Sequence, residues 1–163
     1  MNIAAQTIAE MLDQGRKFNR YYISLLDPKR IHESYTFDSL PMNSAFFIVG
    51  HLGWAEWALV TDSLKGPAFE SPILEKFHIG SQKGSTPTDI AFPELVAEMD
   101  RVHNFTLEYI RGLSEEELAE EVYVAPARWN TTRKKGLYHM IRHESFHTGQ
   151  LGWIAKLHGG RTP

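Results

Sequence analysis

Apolar positions recur three and four residues apart along most of the chain, which is the period of helices that each bury one face. Ile8, Met11, Leu12, Gly15, Phe18, Tyr22, Leu25 and Leu26 trace such a face and Asp27-Pro28 stops it, so a helix is predicted over residues 3–26. Residues 28–42 turn to loop composition, with one turn near residues 29–33, and Asn43 or Ser44 stands where the next helix needs a cap. The second predicted helix, residues 44–65, is apolar almost all round. It therefore needs cover on more than one side, from the other helices or from a second copy of the chain.

Residues 66–92 are rich in proline and glycine and show no period beyond an apolar patch at Ile73, Leu74 and Phe77. A connection of that length reads as a crossover along a bundle or a cover over one end. Pro93 suits the first turn of a third helix, whose face is Leu95, Val96, Met99, Val102, Thr106, Tyr109, Ile110 and Leu113. Ser114 with Glu117 forms a capping-box pattern that opens a short extra helix, and Val122-Tyr123-Val124 suits a short extended piece before Pro126. Thr131 or Thr132 starts a fourth long helix, which runs to about His158 and is released by Gly159-Gly160. Four long amphipathic segments without convincing alternating strands predict an all-α antiparallel four-helix bundle, with residues 1–163 as one domain.

Composition narrows the function classes. The 163 residues include no cysteine, which excludes disulfides, thiolate metal sites and a cysteine nucleophile, and fits a reducing cytoplasmic setting. A net charge of -3, from 17 basic and 20 acidic residues spread along the chain, offers no basic stripe for nucleic acid. The first residues lack the unbroken apolar core of a signal peptide, and the richest apolar run, residues 45–60, is interrupted by His51 and Glu56 and is too short for a bilayer. A cytoplasmic protein with neither membrane nor nucleic-acid partners is expected.

The chemistry concentrates in residues 138–158, which hold four of the eight histidines. His139, His143 and His147 recur every four residues, so successive imidazoles stand one helical turn apart and can converge on one ion. A single inward histidine is usually a satisfied core residue; a pair at this spacing, with a further inward histidine elsewhere, favours a metal. The best third donor is His51, on a stripe with Phe47, Ala55 and Ala58 in an otherwise apolar helix. His51, His143 and His147 are expected to hold a divalent ion such as zinc or nickel, with a position left open to water or substrate. His139 reads as packing or as a partner to a ligand, with a fourth-ligand role as the alternative, and His103 reads as structural. His32, His78 and His158 are expected in solvent. Residues 143–147 also spell H-E-S-F-H, the zinc-protease pattern, in which Glu144 would bond a metal-bound water. The peptidase reading is weak because too little chain follows His147 for a third ligand, and no substrate-pairing strand is evident. Gln150, one turn beyond His147, is a second candidate to orient the attacking group. Trp54, Trp57, Trp129 and Trp153 either wall a pocket or serve as core.

The run RHESFHTGQL (residues 142–151), together with NSAFFIVGHLGWAEW (residues 43–57), resembles the DinB/YfiT-like family of metal-binding four-helix bundles. The likeness covers nearly the whole chain: N-S before the second helix, one histidine within it, a long excursion, a helix followed by L-S-E-E-E-L, and H-x-x-x-H-x-G-Q in the last helix. It implies an up-down-down-up bundle with a long crossover between helices two and three. It also implies metal-ligand positions at His51, His143 and His147. Some members of that family resemble thiol S-transferases that use the metal to activate a low-molecular-weight thiol such as bacillithiol or mycothiol, and others are described as metal-dependent hydrolases. A small-molecule substrate and pairing as a homodimer are further implications, with a non-catalytic metal-binding or stress-linked interaction module as the alternative.

Overall fold

Side-chain caps set the helix starts. Asn2 Oδ1 accepts from the Ala4 N–H (3.0 Å) and opens α1 (Ile3–Ser24). Ser44 Oγ accepts from the Phe47 N–H (3.2 Å) and opens α2 (Ala45–Ala58). The computed structural model describes residues 2–81, 89–124 and 128–161. Between α1 and α2, β1 (Thr36–Phe37) pairs with β2 (Leu40–Pro41). The two residues between them, Asp38 (φ 46°) and Ser39 (φ 65°), take the left-handed conformation of a tight hairpin turn. Where one helix was expected to run on to residue 65, α2 gives way to a π-helical segment, Leu59–Ser63, with the Leu64 N–H on the Leu59 carbonyl five residues back (2.8 Å).

The long connection is not structureless. It carries α3 (Pro72–Glu75), and its apolar patch is anchored, with Leu74 and Phe77 fully buried. The ring of Phe77 lies against Gly50 and the side chain of Leu74 against Gly53, so the connection covers α2 along its glycines. After it come α4 (Phe92–Gly112) and α5 (Glu115–Ala119), the latter opened by the expected Ser114/Glu117 capping box. The extended piece anticipated at Val122–Val124 is one half of a hairpin: β3 (Glu121–Val124) pairs antiparallel with β4 (Trp129–Thr132). Val122 and Val124 are buried while Tyr123 is exposed, the alternation of a strand with one covered face. Pro126 lies outside the described residues. Thr132 Oγ1 accepts from the Lys135 N–H (3.3 Å) and opens α6 (Arg133–Leu157).

Helices dominate the fold, and each of the four long ones packs on two others: α1 on α4 and α6, α2 on α4 and α6. Along the α1–α6 seam, Gly15 faces Glu144 and Tyr22 packs on Gly152. Along the α1–α4 seam, Asn2 bonds the Leu113 carbonyl and Arg20 pairs with Asp100. Along the α2–α4 seam, Gly53 approaches Met99 and Glu56 meets His103. On the α2–α6 seam, His51 lies by His147, and past the π-helical segment Leu64 lies by Gly136. The chain's own elements thus cover the all-round apolar α2, of which only His51, Trp54 and Trp57 stay partly open.

The buried face of α1 differs from expectation. Met11 and Phe18 are exposed, at 51% and 58%, whereas Arg16 and Asn19 are fully buried. Acceptors on α2 and α6 draw these polar side chains inward. No helix among the described residues is long and apolar enough to cross a membrane.

Candidate metal centre

α2 and α6 bring together the three histidines expected to meet. His51, His143 and His147 each offer a ring nitrogen, and these atoms lie within 4.8 Å of one another. The ring centroids are 5.3 Å (His51–His143), 5.2 Å (His51–His147) and 4.5 Å (His143–His147) apart. The four-residue step on α6 does part of this work; the rest is the packing of α2 against the same face.

Two contacts fix which nitrogens point into the cluster. His51 Nδ1 lies 3.1 Å from the Phe77 carbonyl oxygen, which can only accept, so Nδ1 carries the proton and Nε2 keeps its lone pair. His147 Nδ1 lies 2.7 Å from Gln150 Oε1, with the same consequence for His147 Nε2. His143 Nε2 then stands 3.2 Å from His147 Nε2. Two nitrogens that close share either one proton or one cation. Bonds of about 2.0–2.1 Å at a tetrahedral angle separate two donors by roughly 3.3 Å, so the observed spacing suits a borderline divalent ion. The residues fit the group.

Protonation state points the same way. Burial, followed by the charge of His147, pushes His51 down from 6.5 to about 4 against the pull of the Phe77 carbonyl. Burial and then His147, His51 and His139 push His143 down to about 3. Burial also lowers His147, opposed by Gln150 and Glu144. All three are therefore neutral at pH 7, the form that binds metal.

Glu144, expected beside a bound water, directs its carboxylate toward α1. Oε1 accepts from Arg16 Nε (2.6 Å) and Asn19 Nδ2 (2.7 Å), and Oε2 from Arg16 Nη2 (3.2 Å). Arg16 Nη2 also donates to Glu56 Oε2 (2.6 Å), and Nη1 to the Met99 carbonyl (3.3 Å). Glu56 Oε1 lies 3.0 Å from His103 Nδ1, and His103 Nε2 is 3.5 Å from Asp13. One guanidinium thus ties all four long helices together through groups that are almost wholly buried. The sequence reading passed over Arg16, Asn19 and the carbonyl of Phe77. The first two carried a signal, because 16 and 19 continue the spacing of the buried Ile8 and Leu12; the carbonyl carried none.

The other histidines divide. His139 Nδ1 accepts from Arg142 Nη2 (2.7 Å), and its ring is 6.3 Å from that of His143, outside the cluster of three. His103 is buried and serves the ion network. His78 is exposed, and exposed His32 rests its ring on Phe46 at 4.4 Å. His158 is not simply in solvent: its Nδ1 accepts from the Asp27 N–H (3.1 Å), tying the end of α6 to the end of α1. Trp54 stacks on His51 with ring centroids 5.5 Å apart. Trp57 donates to the Phe69 carbonyl, the Trp129 ring is 5.8 Å from His139, and Trp153 is exposed. Of the four tryptophans, Trp54 lies against a histidine of the cluster and Trp129 against His139 outside it.

A search of the curated proteins finds no match. A family model does match, over residues 8–151, which run from within α1 to within α6, past all three histidines of the cluster, and it is that of the DinB superfamily.

Proposed function

The chain belongs to the DinB superfamily, and from that premise we propose that it is a metal-dependent enzyme of thiol-transfer or hydrolytic type, holding one divalent ion, zinc or nickel, on His51, His143 and His147. The observation that carries the proposal is the convergence of three ring nitrogens within 4.8 Å, two of them 3.2 Å apart. The accompanying fold is an up-down-down-up bundle. In support, contacts advance in the same order on α1 and α6 (Gly15 to Glu144, Tyr22 to Gly152) and in opposite orders along α6 and along α2 with its π-helical continuation (His51 to His147, Leu64 to Gly136).

When bound, the ion supplies Lewis acidity, with at least one position left over by three protein donors. The chain's own residues prepare that site. The Phe77 carbonyl and Gln150 hold the Nδ1 protons of His51 and His147, keeping both Nε2 lone pairs turned toward the cluster. Gln150 therefore orients the reacting group through His147. Glu144 acts as a positioning residue, fixing on α1 the turn of α6 that carries His143 and His147, while its charge favours a proton on His147.

The test begins with metal content. Dialysed wild-type protein should retain one equivalent of zinc or nickel, and His147→Ala, folded by circular dichroism, should retain far less. The loaded protein should then transfer a small thiol to an electrophile or hydrolyse an ester or amide; undiminished activity in His147→Ala overturns the assignment.

One observation favours a second reading, a metal-binding module without turnover: Glu144 has both oxygens engaged by Arg16 and Asn19, away from acid–base work. Cobalt-substituted protein separates the two, since azide perturbs the spectrum of an open site and leaves a closed one unchanged. Pairing of two copies, implied by the resemblance, has the exposed Phe146 and Trp153 available to it and is decided by sedimentation equilibrium.

A further inference from the structure

Beside the imidazole cluster lies a cavity of about 50 Å³ in which His51 and His143 meet a set of apolar side chains. Ala55, Ala58 and Leu59 line it from the end of α2 and the first residue of the π-helical segment, with Trp54 beside them and Ile79 from the connection after α3. His139 completes the lining. Two features of the chain give the cavity its character. The alanines at 55 and 58 are one turn apart on the face that carries His51, where any longer side chain would occupy the space. Among the described residues the lining includes no lysine, arginine, aspartate or glutamate, so its side-chain polar atoms are those of imidazoles and of the single indole.

We propose that this cavity is a ligand subsite for a short, unbranched, uncharged carbon chain, borne by a small molecule whose donor atom meets the His51–His143–His147 cluster. The inference rests on the metal-site reading for the donor end, but on the cavity alone for the chain end. Charge decides the first attribute: an ionised group among Ala55, Ala58 and Leu59 would lose its hydration with no counter-charge among the described lining residues to replace it. Size decides the second. A dry cavity of about 150 Å³ accepts a benzene ring, and this one, at about 50 Å³, is a third of that. It has room for a few carbons in line and none for an aromatic or a quaternary centre. The rings of His51 and His143 decide the orientation, since they belong both to the cavity wall and to the three-histidine cluster that meets the donor atom.

The test reads the subsite and the metal separately. In methyl-labelled protein, the Ala55, Ala58 and Leu59 signals are followed while 1-propanethiol, 2-methyl-2-propanethiol or 3-mercaptopropanoate is added to the zinc-loaded and metal-free forms. The proposal expects 1-propanethiol to shift these signals, saturating at a concentration at least tenfold below that needed for the branched or anionic thiol. Ala58→Leu should abolish the preference for the unbranched chain while zinc uptake, measured by equilibrium dialysis, stays within twofold. Absence of the shifts in both forms, or equal response to the three thiols, overturns the subsite. Failure of zinc uptake in wild-type protein with the 1-propanethiol shifts intact would instead overturn the metal reading and leave the subsite standing.

Discussion

At the scale of single residues, the centre depends on where a few protons sit. Gln150 Oε1 accepts a hydrogen bond from His147 Nδ1–H at 2.7 Å and so keeps the unprotonated Nε2 toward His143. A leucine there would fill similar space without accepting, and His147 would be free to turn its proton toward the cluster. Losing such a partner typically weakens metal affinity by about 10–100-fold. Gln150→Leu is therefore expected to raise the zinc dissociation constant within that range in a competition titration, while the denaturation midpoint moves little; an unchanged constant would show that the tautomer is set elsewhere. The spacing of His143 and His147 made the pair legible in the sequence, because a helix converts a four-residue step into adjacency. His51 was legible as a histidine stranded in an apolar helix. Its partner, the Phe77 carbonyl, was not, since any residue supplies a carbonyl and the contact depends on how the chain between positions 51 and 77 returns.

Among the elements, α2 and its cover act as one unit. A Cβ placed on Gly50 would stand 2.3–2.5 Å from ring atoms of Phe77, whose side chain is fully buried and whose carbonyl holds His51. Gly50→Ala must therefore displace the ring, and overpacking of this kind costs about 1–3 kcal/mol. Stability should fall by that amount in urea, and zinc affinity should fall with it, because the displaced segment carries the acceptor for His51. Adding Phe77→Leu to Gly50→Ala removes the obstructing ring atoms and should recover part of both losses; a double variant worse than either single one would argue against the clash. The helices themselves were readable from period and caps, Ser114 with Glu117 most directly. The hairpins were harder. β1 and β2 are two residues each, too short for alternation to register, and β3 finds its partner in β4, whose Trp129–Thr132 reads as the run-up to a helix. The π-helical segment after Ala58 left no mark, because Leu59–Ser63 has ordinary helical composition.

Across the whole molecule, the chain places its polar groups at one level between two apolar clusters. On every long helix the network residue separates them: Leu12 from Tyr22 at Arg16, Leu52 from Leu59 at Glu56, Val102 from Leu107 at His103, and Met140 from Leu151 at Glu144. Arg16 is the hub of this layer, and His143 and His147 fall within the same interval of α6, between Met140 and Leu151. Arg16→Met leaves Glu56 and Glu144 buried without their counter-charge, a change expected to cost about 3–5 kcal/mol, whereas Arg16→Met with Glu56→Leu and Glu144→Leu should recover most of it; equilibrium unfolding of the two variants decides whether the charges act as a pair-balanced unit. The histidine cluster and Glu56 together set the acid response of the metal-free protein. His51 and His143 titrate in the fold at about 4 and about 3, against 6.5 when unburied, so below about pH 6.5 the unfolded chain takes up protons that the folded one refuses. Stability accordingly falls with pH across that window, by an amount on the order of 3 kcal/mol for each ring by pH 4. Glu56 adds a lower limb. Burial alone would raise it, but Arg16 and then His103 hold it below its ordinary 4.5, so its contribution is present above that pH and lost as pH falls through the folded value. Urea denaturation of metal-free protein from pH 7 to pH 3 should therefore show a decline beginning near pH 6.5 and steepening below 4.5. His143→Leu should lessen the decline over the whole range from about pH 6.5 to about 3, leaving the share of His51 and the added steepening from Glu56 below 4.5, and a variant that keeps the full decline between pH 6.5 and 4.5 would place its origin outside His143.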